Sequence, residues 1–233
     1  MKLAIMQPYL FPYIGYFQMI SAVDHFVFYD DVNFIKRGWI NRNRILVNGK
    51  DTFITVPLIK ASQNKQINEI NLFVDEKMKK KMILTIELAY KKAPYYNQVI
   101  EIIKKIINAD ISNIGEYAAN SIITLCNYLK IDTSFSYSSI QSPESRGMNK
   151  ADRLIFICKK LGADEYINAN GGQEFYTKKY FENNQINLQF IKTQDFKYEQ
   201  YNHPFVPWLS IIDVMMFNNK VEIKKILHSY KLN

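Results

Sequence analysis

Residues 3–29 read LAIMQPYLFPYIGYFQMISAVDHFVFY, and this stretch decides the fold. The apolar residues 3–6 predict a strand, and residues 13–22 predict a helix. The compact aromatic and β-branched run over residues 26–29 predicts a second strand. Open α/β sheets bind ligands at the turn that follows the carboxyl end of such a first strand. We therefore predict a binding site at the turn, with aromatic filling of the core as the alternative interpretation.

The turn itself carries residues suited to contact with a ligand. Pro8 and Pro12 stiffen it, because each proline fixes φ and removes a backbone donor. Gly15 permits a close approach to the backbone in the first helical turn. Five aromatic rings lie between residues 9 and 17, more than one buried helix face uses. The predicted substrate-binding residues of this turn are Gln7, Pro8, Tyr9, Tyr13 and Tyr16.

The remainder of the chain alternates between strand and helix patterns. Asn48-Gly49 between two strand-like runs predicts a β-hairpin. Further strands are predicted over residues 44–47, 52–57, 133–138, 165–168 and 186–191, and further helices over residues 75–93, 96–108, 112–130, 149–162, 173–183 and 208–217. Strands separated by helices of this length indicate βαβ units and a mostly parallel, Rossmann-like sheet. We predict one α/β domain over residues 1–233, with a helical insertion over residues 75–131.

Composition excludes several classes of protein. The chain has 233 residues, 48% of them hydrophobic, which is ordinary for a globular protein. No apolar run approaches the ~20 residues of a membrane-spanning helix, and the first residues lack the apolar length of a signal peptide. Cys126 and Cys158 lie far apart without neighbouring ligands, so we predict buried thiols, no disulfide framework and no metal site. We expect a cytoplasmic protein.

The net charge of +8 favours anionic partners such as nucleotide-linked sugars, nucleic acid or a membrane surface. The lysines within residues 77–81 have the pattern of a solvated helix face. A second cationic cluster is interleaved with a tryptophan and amides, which is more typical of a surface that contacts anions. The cluster consists of Lys36, Arg37, Arg42 and Arg44, interleaved with Trp39, Asn41 and Asn43. We predict that it contacts phosphate, and that Lys36, Arg37, Trp39, Asn41 and Arg42 bind the substrate.

Four residues are candidates for acid–base catalysis. Asp30 and Asp31 follow the second strand, at the sheet edge where acidic residues hold ribose, metal or amine groups. Neighbouring residues alternate between faces, so we expect at most one of these two carboxylates to face a given ligand. His25 begins the strand and is expected ~10–15 Å from Asp31. His203 lies in a loop before a proline and is our first choice of general base.

A second strand-to-helix turn, Asn170-Gly171-Gly172, can offer backbone amides to an anion. It lacks the residues of a P-loop and of the G-x-G-x-x-G fingerprint. The chain also has no G-x-S-x-G, H-E-x-x-H or C-x-x-C sequence, so a covalent hydrolase or a zinc enzyme is not supported.

Two resemblances add a functional context. Tyr13-Ile14-Gly15-Tyr16 resembles the HIGH signature of nucleotidyltransferases, with tyrosine in place of both histidines. Residues 6–20, 22–45 and 205–213 resemble the WbqC-like family. That family is associated with bacterial surface-polysaccharide (O-antigen) gene clusters, and the resemblance implies a glycyltransferase-type role.

Together these features predict a transferase that modifies a nucleotide-linked amino sugar, by acyl or aminoacyl (glycyl-type) transfer. The sequence does not identify the donor, and the options are an activated acyl donor, an activated aminoacyl donor or ATP. Gln7, Tyr13 and Asn41 are the predicted oxyanion donors, and Arg37 and Arg42 the predicted diphosphate contacts. The alternatives are an ATP-dependent nucleotidyl or adenylyl transferase of the HIGH-like fold, and a non-catalytic nucleic-acid-binding protein.

Overall fold

A computed structural model describes residues 1–73, 75–202 and 204–233. Within these ranges the chain forms eight strands and nine α-helices. The strands are β1 (Lys2–Met6), β2 (His25–Phe28), β3 (Arg42–Val47), β4 (Lys50–Thr55), β5 (Ser134–Tyr137), β6 (Glu165–Ala169), β7 (Asn187–Thr193) and β8 (Tyr230–Leu232). The helices are α1 (Ile14–Ser21), α2 (Glu76–Tyr90), α3 (Tyr96–Ile107), α4 (Ile114–Leu129), α5 (Ser138–Gln141), α6 (Lys150–Lys160), α7 (Lys178–Glu182), α8 (Ile211–Phe217) and α9 (Lys220–Leu227).

The central sheet has six strands in the order β5-β2-β1-β6-β7-β8, and all but β8 are parallel. The pairing of Leu3 with His25 and of Met6 with Phe28 confirms that β1 and β2 are parallel neighbours joined through α1. The chain leaves β1 on one side towards β2 and later returns on its other side as β6. The gap between β1 and β6 is therefore the point at which the strand order reverses. The predicted Rossmann-like α/β fold is confirmed.

Helices cover both faces of this sheet. On one face, apolar side chains of α6 and α7 such as Leu154 and Phe181 pack on Leu3, Ile5 and Val27. The other face packs against α1, α4, α8 and α9, and the buried side chains of α2 and α3 belong to the same core. Because a strand presents alternate side chains to opposite faces, β1 contributes to both cores. The assignment of residues 75–131 as an insertion within one domain stays a prediction.

The predicted hairpin is present, but β3 and β4 form a separate two-stranded sheet. Asn48 and Gly49 have φ values of 50° and 75°, the left-handed conformations that a tight hairpin turn requires. Val56 N–H donates to the Asn41 carbonyl at 2.8 Å and closes the open end of the hairpin.

Two predicted helices are shorter than their sequence patterns indicate. Residues 173–183 form a 3-10 turn, Asn170–Glu174, and then α7, because Thr177 is extended and interrupts the helix. The helix expected from residue 208 begins only at Ile211, since Trp208 has a φ of 60° and Ser210 caps the helix by accepting from Ile212 N–H. Both cysteines are buried in helices, as expected. Over the described ranges, none of the helices combines the length and apolar character needed to cross a membrane.

Candidate functional site

A cavity of about 930 Å³, which we name the switch-point cavity, opens where β1, β2 and β6 end. Its walls come from the residues that follow these three strands and from the start of α6. The cavity therefore lies at the strand-order reversal between β1 and β6, where open α/β sheets bind their ligands. Its volume falls within the range of small-molecule sites. Four predicted residues meet there, namely Gln7, Asp31, Gly171 and Gly172.

Asp31 is held by two arginines that come from the segment leading into α6 and from α6 itself. Arg153 Nη2 lies 2.6 Å from Asp31 Oδ2, and Arg146 Nε donates to the same oxygen at 3.0 Å. Ser138 Oγ donates to Asp31 Oδ1. Burial favours a higher pKa for Asp31, but the hydrogen bonds from Ser138 and Arg146 and the charge of Arg153 outweigh it and lower the pKa. The carboxylate is therefore ionised and suited to anchoring the arginines rather than to taking a proton.

Arg153 is almost fully buried and organises the cavity wall further. Its Nε donates to Ser145 Oγ at 3.0 Å, and its guanidinium carbon lies 4.6 Å above the centre of the Tyr29 ring. Burial raises the pKa of Tyr29 to about 12, although Arg153 acts in the opposite direction. The Tyr29 phenol therefore keeps its proton at neutral pH and can donate a hydrogen bond into the cavity.

The glycine turn after β6 forms a further part of the cavity wall. A Cβ at Gly171 would meet open space, whereas one at Gly172 would lie 2.9 Å from the Asn168 side chain. The second glycine thus allows the turn to close over Asn168, and the first leaves the backbone accessible. Asn170 begins the 3-10 turn and accepts from Gln173 Nε2 at 3.1 Å. Lys150, at the start of α6, lines the same cavity, and its Nζ lies 5.5 Å from the centre of the Phe175 ring.

Gln7 and Tyr16 join the first turn to this cavity in different ways. Gln7 lines the cavity, and its Oε1 is buried without a hydrogen-bond partner among the described residues. Tyr16 is buried, and its hydroxyl donates to the Gln7 carbonyl at 2.8 Å. Pro8 is also buried. Tyr16 and Pro8 therefore position Gln7 and present no free polar group of their own to a ligand.

The other residues of the first turn line a second, smaller pocket of about 150 Å³. We name it the aromatic pocket, and it is lined by Tyr9, Pro12, Tyr13, Trp39, Asn43, Arg44 and Trp208. The predicted residues therefore do not share one site: Gln7 and Asp31 line the large cavity, Tyr13 lines the aromatic pocket, and Tyr16 lines neither. The turn divides these side chains, because Gln7 lies at the strand end while the residues after Pro8 run towards β3.

Asp30 lies beside Asp31, with Ser138 Oγ within hydrogen-bond distance of Oδ1 of each residue, but its other contacts are different. It lines a different cavity, of about 490 Å³, between β5 and α4. Its Oδ1 accepts from Ser139 N–H at 3.0 Å, and its Oδ2 accepts from Ser139 Oγ at 2.6 Å. A carboxylate bound in this way holds α5 against the sheet, and it is not placed to take a proton in the switch-point cavity.

Of the two histidine candidates, His25 does not line the cavity. His25 lies at the amino edge of the sheet, where its two ring nitrogens are 2.6 Å from Ser134 Oγ and 2.7 Å from Ser136 Oγ. Partial burial lowers its pKa. Because β1, β2 and β6 run parallel, this edge is opposite to the cavity. His203 lies outside the described residues, so its role as general base stays a prediction.

The basic cluster before β3 is used largely within the protein. Arg42 donates to the carbonyls of Gly38, at 3.2 Å, and of Arg37, and its guanidinium carbon lies 4.3 Å above the Phe53 ring. Asn41 Nδ2 donates to the Val56 carbonyl at 2.8 Å. Lys36 and Arg37 are exposed, and neither lines the switch-point cavity. Two of the five N–H donors of Arg42 are thus used within the protein, and Arg42 does not line the cavity.

Comparison with known proteins places this chain among its relatives. The model of the WbqC-like protein family matches residues 7–225. The chain belongs to the WbqC-like protein family. It is also similar to the uncharacterized protein Rv1507c of Mycobacterium tuberculosis (strain ATCC 25618 / H37Rv), with 28% identity over 220 residues, which are 93% of each chain. No solved structure matches it at a significant level.

Several residues of this WbqC-like chain were missed from sequence. Lys150, Arg153, Glu174 and Tyr176 all line the cavity. The sequence predicted the helix that begins at Asn149, whose side chain accepts from Asp152 N–H, but not its place at the cavity. Asp213, which is not among the predicted site residues, is fully buried and accepts from Tyr90, Tyr198 and Gln200.

Proposed function

We propose that this WbqC-like chain is a transferase that binds a nucleotide-linked amino sugar in the switch-point cavity and transfers an acyl or aminoacyl group, of glycyl type, to the sugar amine. The observation that carries the proposal is the position of the 930 Å³ cavity at the carboxyl ends of β1, β2 and β6. The polysaccharide context is what the resemblance to this family implies, and membership of the family supports it.

The cavity offers contacts for a diphosphate that differ from those expected from sequence. Lys150 forms no ion pair with the described residues, so its charge is available to an anion. The accessible backbone at Gly171 lies in the same cavity wall. Lysine is a strong phosphate ligand as a point charge. We therefore assign the diphosphate contact to Lys150 and the glycine turn in place of Arg37 and Arg42.

Acyl transfer to an amine requires a proton acceptor and donors for a developing oxyanion. Within this cavity Glu174 is an exposed carboxylate that can accept the proton of the sugar amine as the new N–C bond forms. Tyr29 keeps its proton and can donate to the oxygen of the acyl group, and Gln7 can orient the amine through Oε1. The bond to the activating group of the donor breaks, and that group leaves with the acyl carbonyl restored.

The HIGH-like alternative receives less support from the geometry. Tyr13 and Tyr16, which replace the two histidines of that signature, do not line the large cavity. Tyr16 is buried against the Gln7 carbonyl, and Tyr13 lines the aromatic pocket. The experiment below therefore includes ATP and tRNA, so that adenylyl transfer and nucleic-acid binding are tested as alternatives.

Isothermal titration of the purified protein with nucleoside-diphosphate amino sugars, ATP, acyl-coenzyme A and tRNA tests the proposal. We expect saturable binding of a nucleotide-linked amino sugar that Lys150→Met weakens about 10- to 150-fold, the worth of a charge-assisted hydrogen bond. Lys159→Met is the matched control, because Lys159 lies on the exposed part of the same helix and bonds only Asn184 among the described residues.

Three outcomes would contradict the proposal. Binding of ATP or tRNA without binding of any nucleotide-linked sugar would favour one of the alternatives. Equal effects of Lys150→Met and Lys159→Met would remove the cavity from the site. A bound sugar nucleotide that is never acylated by an acyl or aminoacyl donor would leave a binding protein in place of a transferase.

A further inference from the structure

The outward side of α2 carries lysines and leucines along one narrow stripe. At 3.6 residues per turn, positions 77, 80, 81, 84 and 88 fall within about 100° of the helix circumference. Positions 91 and 92 follow directly at the end of the helix, and the side chains at all seven positions are exposed. We name this surface the basic stripe, and it consists of Lys77, Lys80, Lys81, Leu84, Leu88, Lys91 and Lys92.

The opposite side of α2 holds the helix in place. Met82, Ile86 and Tyr90 are buried in the core, and the Tyr90 hydroxyl donates to Asp213 Oδ1 at 2.9 Å. The buried side also packs on α3 and β3. The basic stripe is therefore presented on a formed helix, and a partner that binds it does not have to order the backbone.

The stripe has an excess of positive charge. Its five lysines form no ion pair with the described residues. The two glutamates of α2 lie outside the stripe and are paired, Glu76 with Lys79 at 3.3 Å and Glu87 with Lys104 at 3.0 Å. Asp75 caps the start of the helix. The stripe is therefore complementary to an anionic surface.

Two leucines lie between these lysines. Leu84 and Leu88 are 53% and 60% exposed, and their spacing of four residues makes them neighbours on the helix surface. Lysines precede them along the stripe and follow them at its end. In a helix that lies in a membrane interface, leucines enter the apolar layer while lysine side chains extend to the headgroups. The basic stripe has this arrangement.

We propose that the basic stripe docks the protein on an anionic lipid bilayer, with α2 lying in the plane of the interface. Residues 76–92 contain six lysines and no arginine, whereas arginine is the residue suited to fixed, bidentate contacts in a protein or nucleic-acid complex. The stripe has no aromatic side chain on which bases could stack. Its leucine pair is shorter than the i, i+3 or i+4, i+7 series of anchors by which a helix enters a protein groove.

This inference does not rest on the proposed function. Among the described residues, those that line the switch-point cavity include none from α2. The docking surface and the cavity can therefore be tested separately.

Flotation of the purified protein with lipid vesicles tests the proposal. We expect binding to phosphatidylcholine vesicles that contain about 30% phosphatidylglycerol, and no binding to vesicles of phosphatidylcholine alone. Raising the salt concentration from about 0.05 M to about 0.5 M should weaken binding to the anionic vesicles, because the Debye length becomes shorter.

Paired lysine variants distinguish the stripe from net charge. Lys80→Gln with Lys81→Gln should lower the affinity for anionic vesicles about 25-fold, since each lysine near such a surface contributes about fivefold. The matched control is Lys224→Gln with Lys225→Gln, which removes the same charge from exposed positions of α9. This control should change the affinity less than about twofold, because charges far from the surface are screened.

Paired apolar variants test the insertion of the leucines. Leu84→Ser with Leu88→Ser should lower the affinity for anionic vesicles about 10- to 50-fold, because apolar side chains are lost from the apolar layer. Ile140→Ser with Val221→Ser is the matched control, since these side chains are 71% and 67% exposed outside the stripe. The control should bind vesicles as the wild type does, and circular dichroism checks the folding of every variant.

A fluorescent label reports directly on contact with lipid. Both native cysteines are buried, so an environment-sensitive dye can be attached to Leu88→Cys in the folded protein. Its emission should shift to shorter wavelength when anionic vesicles are added, as the dye enters the apolar layer. The same dye on Val221→Cys, at an exposed position of α9, should show no shift.

Defined results would overturn the assignment. Equal losses of affinity in the two lysine pairs would show that net charge, and not the stripe, attracts the vesicles. Unchanged binding of the leucine variant, or no shift of the dye at position 88, would exclude insertion. Binding of polyglutamate but not of vesicles would favour an acidic protein partner. Nucleotide-sugar binding is measured without vesicles and depends on Lys150, so failure of this inference is distinguishable from failure of the proposed transferase.

Discussion

Substitution of Asp31 by asparagine is expected to destabilise the protein more than removal of either arginine that it binds. The Asp31 side chain is inaccessible, and that of Arg153 is 7% exposed. Asp31→Asn leaves the Arg153 charge buried without a counter-charge, a change that typically costs about 3–5 kcal/mol. Arg153→Met leaves Asp31 with Ser138 and Arg146, so it should cost less, about 1.5–3 kcal/mol for the lost charge-assisted contact.

Arg146 provides the internal control for this comparison. Its side chain is 46% exposed, so Arg146→Met should cost no more than about 1 kcal/mol. The double variant, Asp31→Asn with Arg153→Met, has no unpaired arginine charge in this buried position. Its loss of unfolding free energy should therefore be smaller than the sum of the two single losses by about 1–3 kcal/mol. Urea denaturation followed by circular dichroism measures all four variants.

The pH dependence of the same variants checks the electrostatic origin of the effect. The folded pKa of Asp31 is lowered, so its contribution to stability is present above the ordinary aspartate value and is lost as pH falls through the folded pKa. The difference in unfolding free energy between the wild type and Asp31→Asn should therefore become smaller below about pH 4. Equal costs for Arg146→Met and Asp31→Asn, or additive single costs, would refute the role given to the buried pair.

Two further variants test other parts of the structure. Burial raises the pKa of Asp213 despite its hydrogen bonds from Tyr198, Gln200 and Tyr90. The free energy of unfolding of the wild type relative to Asp213→Asn should therefore fall as pH rises from about 4 through the folded pKa, and then level off. If urea titrations give a difference in unfolding free energy that does not vary with pH, this prediction is contradicted. Arg42→Ala should change the Kd for a nucleotide-linked sugar less than about twofold, because the Arg42 guanidinium is bonded to loop carbonyls. A tenfold loss of affinity measured by calorimetry would show instead that the basic cluster before β3 contacts the phosphate.

Local patterns in the sequence were sufficient to predict the fold near the first turn. The alternation of apolar runs predicted β1, α1 and β2, and the parallel pairing of Leu3 with His25 follows from the right-handed crossover between them. Asn48-Gly49 specified the hairpin, and Asn149 specified the start of α6. These signals are local because capping and left-handed turn residues act within a few positions of the chain.

The composition of the candidate site could not be obtained in the same way. Asp31 and Arg153 are 122 positions apart, and they meet only because β6 lies beside β1 and brings α6 across the end of β2. Alternation predicted that one of Asp30 and Asp31 would face a ligand, but the sheet order was needed to identify Asp31. For Arg42, the sequence shows a charge but not that nearby carbonyls already accept its hydrogen bonds.

The two stretches that resemble the family lie near opposite ends of the sequence, and in the structure both contact the first turn. The turn runs across the sheet edge, so its carbonyls cannot pair within a strand and need donors from elsewhere. Asn43 Nδ2 donates to the carbonyls of Leu10 and Phe11, Ser210 Oγ also donates to Phe11, and Ile211 N–H donates to the Pro12 carbonyl. Residues from both stretches therefore hold one turn.

This bonding also determines what the turn can offer to ligands. The carbonyls of Gln7 and Tyr13 accept from Tyr16, so the backbone acceptors at both ends of the turn are occupied within the protein. Gly15 completes the packing, because a Cβ there would lie 2.3 Å from the Tyr13 ring. A ligand on either side of the turn therefore meets side chains, with Gln7 at the switch-point cavity and Tyr13 at the aromatic pocket. Since one rigid segment forms a wall of both, Gly15→Ala should disturb the aromatic pocket first, through Tyr13.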